Sequence, residues 1–416
     1  AYPMGWIEAA FSWLAGWVGS VMPAGLVSEC LTGGVIGGVG ATVVFLPQIC
    51  LLFFMISLLE DTGYLSRAAF VMDRVLRPFG LPGHSFMPLL SSHACALPGI
   101  MAARGVPDPR DRLATILVAP FMSCSARIPV YALLTFILFP ESPWKQTVAF
   151  IGCYALGLVA GVLSALIARR TIIKGKSRPM ALELPVYRRP NFRTAVMTTL
   201  DRAAVFLRKA ATNILAISVV LWWLSTFPKV EPPPLAAALR ASAAQVEGSA
   251  EVPAMTFEGQ EFAAESAEER LAEADRVEKM HAGQHSFAAG LGRAIEPVFR
   301  PLGYDWRLCI GVVTSFAARE VFVSTMGVVA AGSDEGDDER VTRQIAGMKR
   351  DDGVTNVFTP PVAWSLLVYY VLAMQCLPTL AVTAREAGGV KWALLQLGWM
   401  SVLAYFGGLI AYRVML

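Results

Sequence analysis

Long apolar stretches alternate with short polar segments over nearly the whole chain. Mostly apolar runs cover residues 33–59, 112–139, 146–168, 211–227, 306–331, 361–384 and 392–412. A run of about 18 or more such residues is long enough to cross the hydrocarbon core of a bilayer as a helix. The pattern therefore predicts an all-α polytopic membrane protein with about seven transmembrane helices.

Some of the apolar stretches do not fit a simple span. Residues 85–103 are short, broken and flanked by charged segments, which predicts a re-entrant hairpin. Residues 306–331 either cross fully or form a second hairpin, and the sidedness of the C-terminus depends on that choice. Residues 1–30 carry Trp6, Trp13 and Trp17 among small and polar residues, which favours an interfacial segment with aromatic anchors.

One long polar insertion divides the chain. Residues 229–290 contain eleven acidic and five basic residues, a net charge of −6, and residues 263–280 have the pattern of a charged surface helix. The basic segment 169–209 is expected on the cytoplasmic side, so the insertion is expected on the outer side. The predicted organisation is an N-terminal segment 1–30, a first membrane half 31–227, the insertion 228–290 and a second membrane half 291–416.

The two membrane halves share a short motif. Leu76-Arg77-Pro78-Phe79-Gly80 resembles Phe299-Arg300-Pro301-Leu302-Gly303, and each motif precedes a short apolar stretch and then an interrupted helix. Repeats whose discontinuous helices meet near the bilayer midplane are a common transporter plan. The motif therefore favours an inverted repeat, although five similar residues also arise by chance.

Composition agrees with a membrane protein and narrows its chemistry. The 416 residues are 55% hydrophobic and 16% charged, whereas soluble domains carry about 25% charged residues. The seven cysteines show no CxxC spacing, which favours reduced thiols over a disulfide framework. The chain has no HExxH motif, so a membrane enzyme is not expected. A nucleic-acid partner is not expected either.

Three cysteines stand beside prolines inside apolar runs. They are Cys95 before Pro98, Cys124 before Pro129 and Cys376 before Pro378. Proline removes a backbone donor and opens a helix, and an opened helix in lipid must line a cavity or pack inside protein. A soft thiol at such a break suits a path for a transition-metal ion. The alternative is that each cysteine is a small buried hydrophobic residue.

Four further residues are candidate metal ligands. Glu60 and Asp61 end the first apolar run, where acidic residues are costly and often functional, although a structural pairing with Arg67 explains them equally well. His93 lies two residues before Cys95, and histidines more often pack with a hydrogen bond than bind metal. Glu320 stands beside Arg319 within the 306–331 run, where a structural ion pair is the alternative.

Several ordered motifs resemble those of the ferrous-iron transporter B (FeoB) family. They are Leu59-Glu60-Asp61-Thr62-Gly63-Tyr64, Pro120-Phe121-Met122-Ser123-Cys124-Ser125-Ala126-Arg127, Glu183-Leu184-Pro185-Val186-Tyr187-Arg188 and Pro301-Leu302-Gly303-Tyr304-Asp305-Trp306-Arg307 with Ala318-Arg319-Glu320-Val321. The resemblance implies gate-like membrane halves, Fe²⁺ as transported substrate and a multi-pass protein of the cell inner (plasma) membrane. It further implies a cytoplasmic GTPase domain or a small accessory Feo protein as partner, and a homo-oligomer is one open expectation.

The chain departs from the family pattern at two points. It contains no GxxxxGK[ST] motif, so GTP is expected to act only through a domain outside this chain. Where similar proteins show Gly-Cys-Asn-Val-Pro-Ala, this chain has Ala94-Cys95-Ala96-Leu97-Pro98-Gly99, which keeps the thiol and the proline and lacks the asparagine. Two rival functions stay open: a gate-fold transporter of another cation or a nucleoside-like solute, and a non-transporting assembly or sensor protein.

Overall fold

The structure, a computed structural model, is described here for residues 2–23, 25–44, 46–173, 187–208, 212–246, 255–257, 260–262, 267–316, 319, 321–331, 339–350 and 354–416. Most of these residues are helical, as predicted. The helices up to residue 226 are α1 Tyr2–Val21, α2 Leu26–Glu29, α3 Gly37–Val44, α4 Leu46–Asp61, α5 Tyr64–Leu76, α6 Phe86–Ala94, α7 Ala96–Ala102, α8 Pro109–Val118, α9 Ile128–Leu138, α10 Pro143–Thr171, α11 Phe192–Phe206 and α12 Thr212–Thr226. The later helices are α13 Pro234–Val246, α14 Ala267–His285, α15 Phe287–Phe299, α16 Trp306–Thr314, α17 Val321–Ala331, α18 Glu339–Ala346, α19 Pro360–Leu372, α20 Leu377–Glu386 and α21 Val390–Met415.

The remaining regular structure is short. A π-helical turn, Cys30–Ile36, joins α2 to α3. Strands β1 Met255–Phe257 and β2 Gln260–Phe262 pair antiparallel within the insertion, which the sequence analysis did not predict. The chain is therefore helical apart from this small hairpin, as far as the structure describes it.

Four helical segments are long and apolar enough to cross a membrane in the described part of the chain. They are Pro109–Leu138, Pro143–Thr171, Pro360–Glu386 and Val390–Met415, and a fifth arises if Leu46–Asp61 and Tyr64–Phe79, bent by 88°, form one span. A multi-pass membrane protein is confirmed. The count of about seven spans stays a prediction, since α12, for example, has 15 residues, and so does re-entry of any hairpin.

Two of these spans are interrupted near their middle, where proline follows the break. Pro109–Leu138 consists of α8 and α9, separated at residues 119–127, and Pro360–Glu386 consists of α19 and α20, separated at residues 373–376. By contrast α10 and α21 run without interruption over 29 and 26 residues. The interrupted spans pack against the continuous ones through a core of Leu117, Val118, Phe121, Met122, Ala165, Met374 and Met400.

The chain divides into two compact units. The first comprises Ala1–Val220, Phe316–Arg319 and Ala363–Leu416, and the second comprises Leu221–Ser315 and Glu320–Val362. The first unit holds all four spans except the first turn of α19. This division does not test the predicted boundaries at 31, 228 and 291, which stay predictions.

The second unit contains the polar insertion. Helices α13 and α14 pack against each other through small apolar side chains, among them Ala236, Leu239, Ala243 and Ala274. Arg240 of α13 pairs with Asp275 and Glu278 of α14, at 2.7 and 2.5 Å. The helix expected over 263–280 is present as α14, whereas α13 was missed because its alanine-rich sequence has no charge pattern.

The repeated motif forms the same turn in both halves. Gly80 and Gly303 each have φ near 80°, a left-handed conformation that favours glycine, and each donates its N–H to the arginine three residues earlier at 2.9 Å. An apolar helix pair follows each turn, α6–α7 in one case and α16–α17 in the other. This local identity supports the predicted repeat.

A buried ion pair fixes the first of these turns. Arg169 at the end of α10 donates its Nε to the Gly80 carbonyl at 2.6 Å and pairs with Asp111 of α8. Both side chains are at least nine-tenths buried. The turn after α5 is thus joined to α8 and α10 by one arginine.

Removing this arginine is expected to destabilise the fold strongly. Arg169→Met removes the arginine that pairs with the buried Asp111 carboxylate, at a cost of about 3–5 kcal/mol, and the double variant Arg169→Met/Asp111→Asn is expected to recover most of that loss. Thermal unfolding of the purified protein in detergent measures both. Arg240→Met, which removes an exposed pair, is the control and is expected to cost about 0–1 kcal/mol. An equal loss in Arg169→Met and Arg240→Met would contradict the prediction.

Candidate transport site at the helix breaks

Cys124 lies in the break of the first interrupted span. After α8 the chain makes a 3₁₀ turn at Ala119–Phe121, becomes extended at Met122 and Cys124, and turns again at Ser125–Arg127 before α9 begins. Pro120 and Pro129 stand at the start of the first turn and of α9, where their missing N–H is least harmful. The break thus opens backbone groups in the middle of an apolar span.

Cys376 lies in the corresponding break of the second interrupted span. Residues 373–376 are non-helical between α19 and α20, Cys376 is extended with φ −165° and ψ 98°, and Pro378 opens α20. The break is buried: Ala373, Met374 and Gln375 are each at most 2% exposed.

Cys95 lies at the tip of the α6–α7 helix pair. It is extended, with φ −155° and ψ 131°, and the helices on either side fold back on each other. Gly99 of α7 makes this possible, because a Cβ at that position would lie 2.8 Å from the Pro88 carbonyl oxygen and against Ser92. Residues 86–102 therefore form a helix–break–helix unit, and its re-entry into the membrane stays a prediction.

Hydrogen bonds join these breaks within the first unit. Ser125, next to Cys124, donates its hydroxyl to the carbonyl of Ala94, next to Cys95, at 3.0 Å. Leu377, next to Cys376, donates its N–H to the Phe316 carbonyl at 3.0 Å. A hydrogen bond therefore joins the segments that carry Cys95 and Cys124, and another joins the segment that carries Cys376 to Phe316.

Arg127 connects the two interrupted spans. Its side chain is fully buried, and it donates to the Phe121 carbonyl at 3.4 Å, the Pro120 carbonyl at 3.1 Å and the Ala373 carbonyl at 3.5 Å. These carbonyls lie at the C-terminal ends of the opened helical segments, where a guanidinium satisfies acceptors and offsets the helix dipole. One side chain thereby links both breaks.

Arg319 reaches the same place from another part of the chain. Its Nη2 donates to the Ala373 carbonyl at 3.2 Å, and the side chain is 5% exposed. Since both arginines reach one oxygen, their nitrogens lie within about 7 Å, where two like charges repel by about 2 kcal/mol at an effective dielectric constant of about 20. Neither guanidinium pairs with a carboxylate in the described residues.

The three predicted thiols are half-buried and in no disulfide. The hydrogen bonds bring the segments that carry them together, which is what a shared path requires. Over the residues that the structure describes, no group of three or more His, Cys, Asp or Glu side chains could hold a metal ion. A role for Cys95, Cys124 and Cys376 as metal ligands stays a prediction.

The other candidate ligands are exposed, take part in other contacts or lie outside the described residues. His93 is exposed, and its Nδ1 lies 3.0 Å from the Leu89 carbonyl of its own helix. Asp61 accepts the N–H of Asn191 at 3.3 Å, and the neighbouring Glu60 is exposed. Arg67, the expected structural partner of this pair, instead donates to the Gly63 carbonyl and stacks 3.6 Å above the Tyr187 ring. Glu320 lies outside the described residues.

Two polar residues of the cluster were missed as functional candidates. Arg127 and Gln375 are both fully buried, and each stands within three residues of a cysteine at a break. The signal was present: a charged or amide side chain inside an apolar run, beside a proline, has few ways to be satisfied in lipid.

Comparison with known proteins shows which families the sequence of this chain matches. The profile of the gate family, described as nucleoside recognition, matches residues 42–137 and 207–390, and the profile of the ferrous iron transport protein B C terminus matches residues 150–202. No solved structure is significantly similar to the chain.

Curated relatives are similar over almost the whole chain. An "Fe(2+) transport protein A/Fe(2+) transporter FeoB fusion protein" of Porphyromonas gingivalis is 36% identical over 99% of this chain and 47% of its own length. An "Fe(2+) transporter FeoB" of Leptospira biflexa is 37% identical over 99% of this chain and 54% of its own, and one of Campylobacter jejuni is 32% identical over 99% and 59%. The chain spans about half the length of these relatives.

The close packing at Gly99 gives a test of the hairpin. Gly99→Ala is expected to destabilise the protein by about 1–3 kcal/mol, although glycine to alanine in an open helical position stabilises by about 1 kcal/mol. Gly152→Ala is the control, because a Cβ there meets nothing within 4 Å. Thermal unfolding in detergent measures the difference, and an equal response of the two variants would show that the helices do not fold back tightly.

Proposed function

The chain belongs to the gate family and is similar over almost its whole length to FeoB proteins, and on this premise we propose that it carries Fe²⁺ across the cell inner membrane. The observation that carries the proposal is the junction of two mid-span helix breaks through buried hydrogen bonds, with a cysteine in each break. Interrupted helices that meet inside a bilayer are the recurrent setting of transporter binding sites. Fe²⁺ is the cargo named for the relatives.

The thiols are the proposed ligands along the path. Fe²⁺ accepts thiolate, imidazole, carboxylate and carbonyl ligands. Cys124 and Cys376 would contact the ion at the breaks of the spans, and Cys95 would do so at the tip of the α6–α7 hairpin. A few adjustable ligands suit transport, because the ion must leave each site as readily as it enters.

The acidic and imidazole candidates have a secondary place in this proposal. Glu60 and Asp61 would attract the cation at the end of α4, and His93 would assist near Cys95. Glu320, beside the buried Arg319, would balance charge or contact the ion. Each of these roles depends on the thiol path and is proposed with it.

Movement of the hairpins would open the path alternately to either side. The repeated turns at Gly80 and Gly303 support a gate repeat in which α6–α7 and α16–α17 are equivalent elements. The topology proposed with it has about seven spans and an extracytoplasmic insertion.

The partners are those of a longer transporter. A cytoplasmic GTPase domain would regulate or drive the path, and GTP would act only there. A small accessory Feo protein is a second proposed partner, supported by the name of the Porphyromonas gingivalis relative, which joins Fe(2+) transport protein A to FeoB. A homo-oligomer stays a prediction.

A nucleoside-like solute is the second candidate cargo. The description of the matching gate profile, nucleoside recognition, favours it. The cysteines at the breaks favour a metal, because nucleosides gain little from a thiol. Competition of Fe²⁺ uptake by other divalent cations, and by nucleosides, separates the two cargoes.

The thiol path is tested by flux. The purified chain in proteoliposomes is expected to admit Fe²⁺, kept reduced by ascorbate and detected by quenching of an internal chelating dye. The triple variant Cys95→Ser/Cys124→Ser/Cys376→Ser is expected to lose at least about tenfold in initial rate, because hydroxyls are poor ligands where soft thiolates are removed. Cys30→Ser/Cys50→Ser, which changes two other half-buried cysteines, is the control and is expected to keep the rate.

Two results would contradict the proposal. A rate in the triple variant equal to that of the control variant would remove the thiols from the path. Uptake by the wild-type chain no faster than into empty liposomes, or inhibited by nucleosides and not by divalent cations, would remove Fe²⁺ as its cargo.

A further inference from the structure

Three buried polar side chains keep unfilled hydrogen-bonding groups where the two interrupted spans meet. They are Arg127, Arg319 and Gln375, which are 0, 5 and 0% exposed. Among the residues that the structure describes, Arg127 Nε, Arg319 Nη1 and both polar atoms of Gln375 have no hydrogen-bond partner. Buried polar groups are nearly always satisfied, so several unsatisfied groups in one region call for a partner such as water or an ion.

The charge of this cluster points to the sign of what is bound. Both guanidiniums donate to the Ala373 carbonyl, and neither pairs with a carboxylate that the structure describes. A buried charge is tolerated when an opposite charge accompanies it. Carbonyl dipoles at Pro120, Phe121 and Ala373 supply part of that compensation, and a full negative charge would supply the rest.

Two helix N-termini strengthen the same preference. Helix α9 begins at Ile128, directly after Arg127, and α20 begins at Leu377, two residues after Gln375. Neither start has a side-chain cap. The N-terminal end of a helix carries a partial positive charge, so both helices favour an anion.

We propose that Arg127, Arg319 and Gln375 bind a small monovalent anion of the halide class. The small size of the proposed anion follows from the N–H groups that have no acceptor among the described residues. Both terminal nitrogens of Arg127 already donate to carbonyls, which leaves its Nε, one nitrogen of Arg319 and the Gln375 amide. Single donors from three side chains suit a spherical ion, whereas carboxylate and phosphate are frequently held by the paired N–H fork of an arginine.

The bound anion has a consequence for any cation that passes the same breaks. Two unneutralised guanidiniums would repel Fe²⁺ from Cys124 and Cys376, and an anion between them would reduce that repulsion. The binding site itself does not depend on iron as the cargo, because it follows from the arginines and the amide alone.

The experiment measures anion binding without iron. The purified chain in detergent is heated at constant sodium concentration while gluconate is replaced by chloride. An anion that binds only the folded state raises the unfolding temperature by mass action, with the shift growing as the logarithm of its concentration above Kd. Chloride is therefore expected to raise the unfolding temperature, and gluconate, which is too large, is not.

Variants locate the effect. Arg319→Gln and Gln375→Leu each remove one open donor and are expected to abolish the chloride-dependent shift, while Arg104→Gln, which removes an exposed arginine paired with Glu386, is expected to retain it. Arg127 is left intact because it satisfies three helix-end carbonyls. If a variant does not fold, the anomalous signal of bromide in crystals of the wild-type chain gives the position directly.

The outcomes are decisive. Equal unfolding temperatures of the wild-type chain in chloride and in gluconate would overturn the proposal, as would a shift of wild-type size in Arg319→Gln or bromide bound away from these side chains. A chloride shift that persists in Arg104→Gln and disappears in Arg319→Gln and Gln375→Leu supports it. None of these results depends on whether the thiol variants transport iron.

Discussion

The structure depends on how backbone carbonyls are satisfied where a membrane helix is opened. In lipid, an opened helix exposes acceptors that water cannot reach, and each unsatisfied group costs several kcal/mol. Arg127 meets this requirement for Pro120, Phe121 and Ala373 with one planar, permanently charged side chain. Arg127 thus contributes to stabilising the breaks in both spans.

Arg127 stabilises the breaks that the proposed path needs, and it also places a positive charge where a cation is proposed to pass. The same guanidinium that stabilises the breaks places positive charge beside the thiols that are proposed to meet a cation, and Arg319 adds to it. A path for Fe²⁺ through this region needs negative charge, which thiolates, acidic side chains or a bound anion would provide. The balance of charge at the breaks is thus as important as the identity of the ligands.

The sequence predicted the local events better than their assembly. Proline after cysteine located the breaks at Cys95, Cys124 and Cys376, because proline lacks the N–H that continues a helix and its effect is local in sequence. The Arg-Pro motif likewise predicted a repeated feature, and both copies form the same left-handed glycine turn. The family followed from ordered motifs, and the profiles agree.

What the sequence did not reveal depends on distant contacts. Nothing near Arg127 in the sequence indicates that it bonds to Ala373, 246 residues away, and the isolation of the Gln375 amide is visible only once its surroundings are packed. Hydropathy predicted about seven spans, and four or five helical segments of sufficient length lie in the described residues. Hydropathy alone cannot distinguish a crossing helix from a buried one, so the total stays a prediction.

The hydroxyl of Ser125 bound to the Ala94 carbonyl has a mechanical meaning. The bond is only partly buried, and a neutral hydrogen bond contributes about 0.5–1.5 kcal/mol net where water can replace it. This single bond by itself therefore holds the tip of the α6–α7 pair to the break at Cys124 only weakly, and breaking it requires no change within either helix.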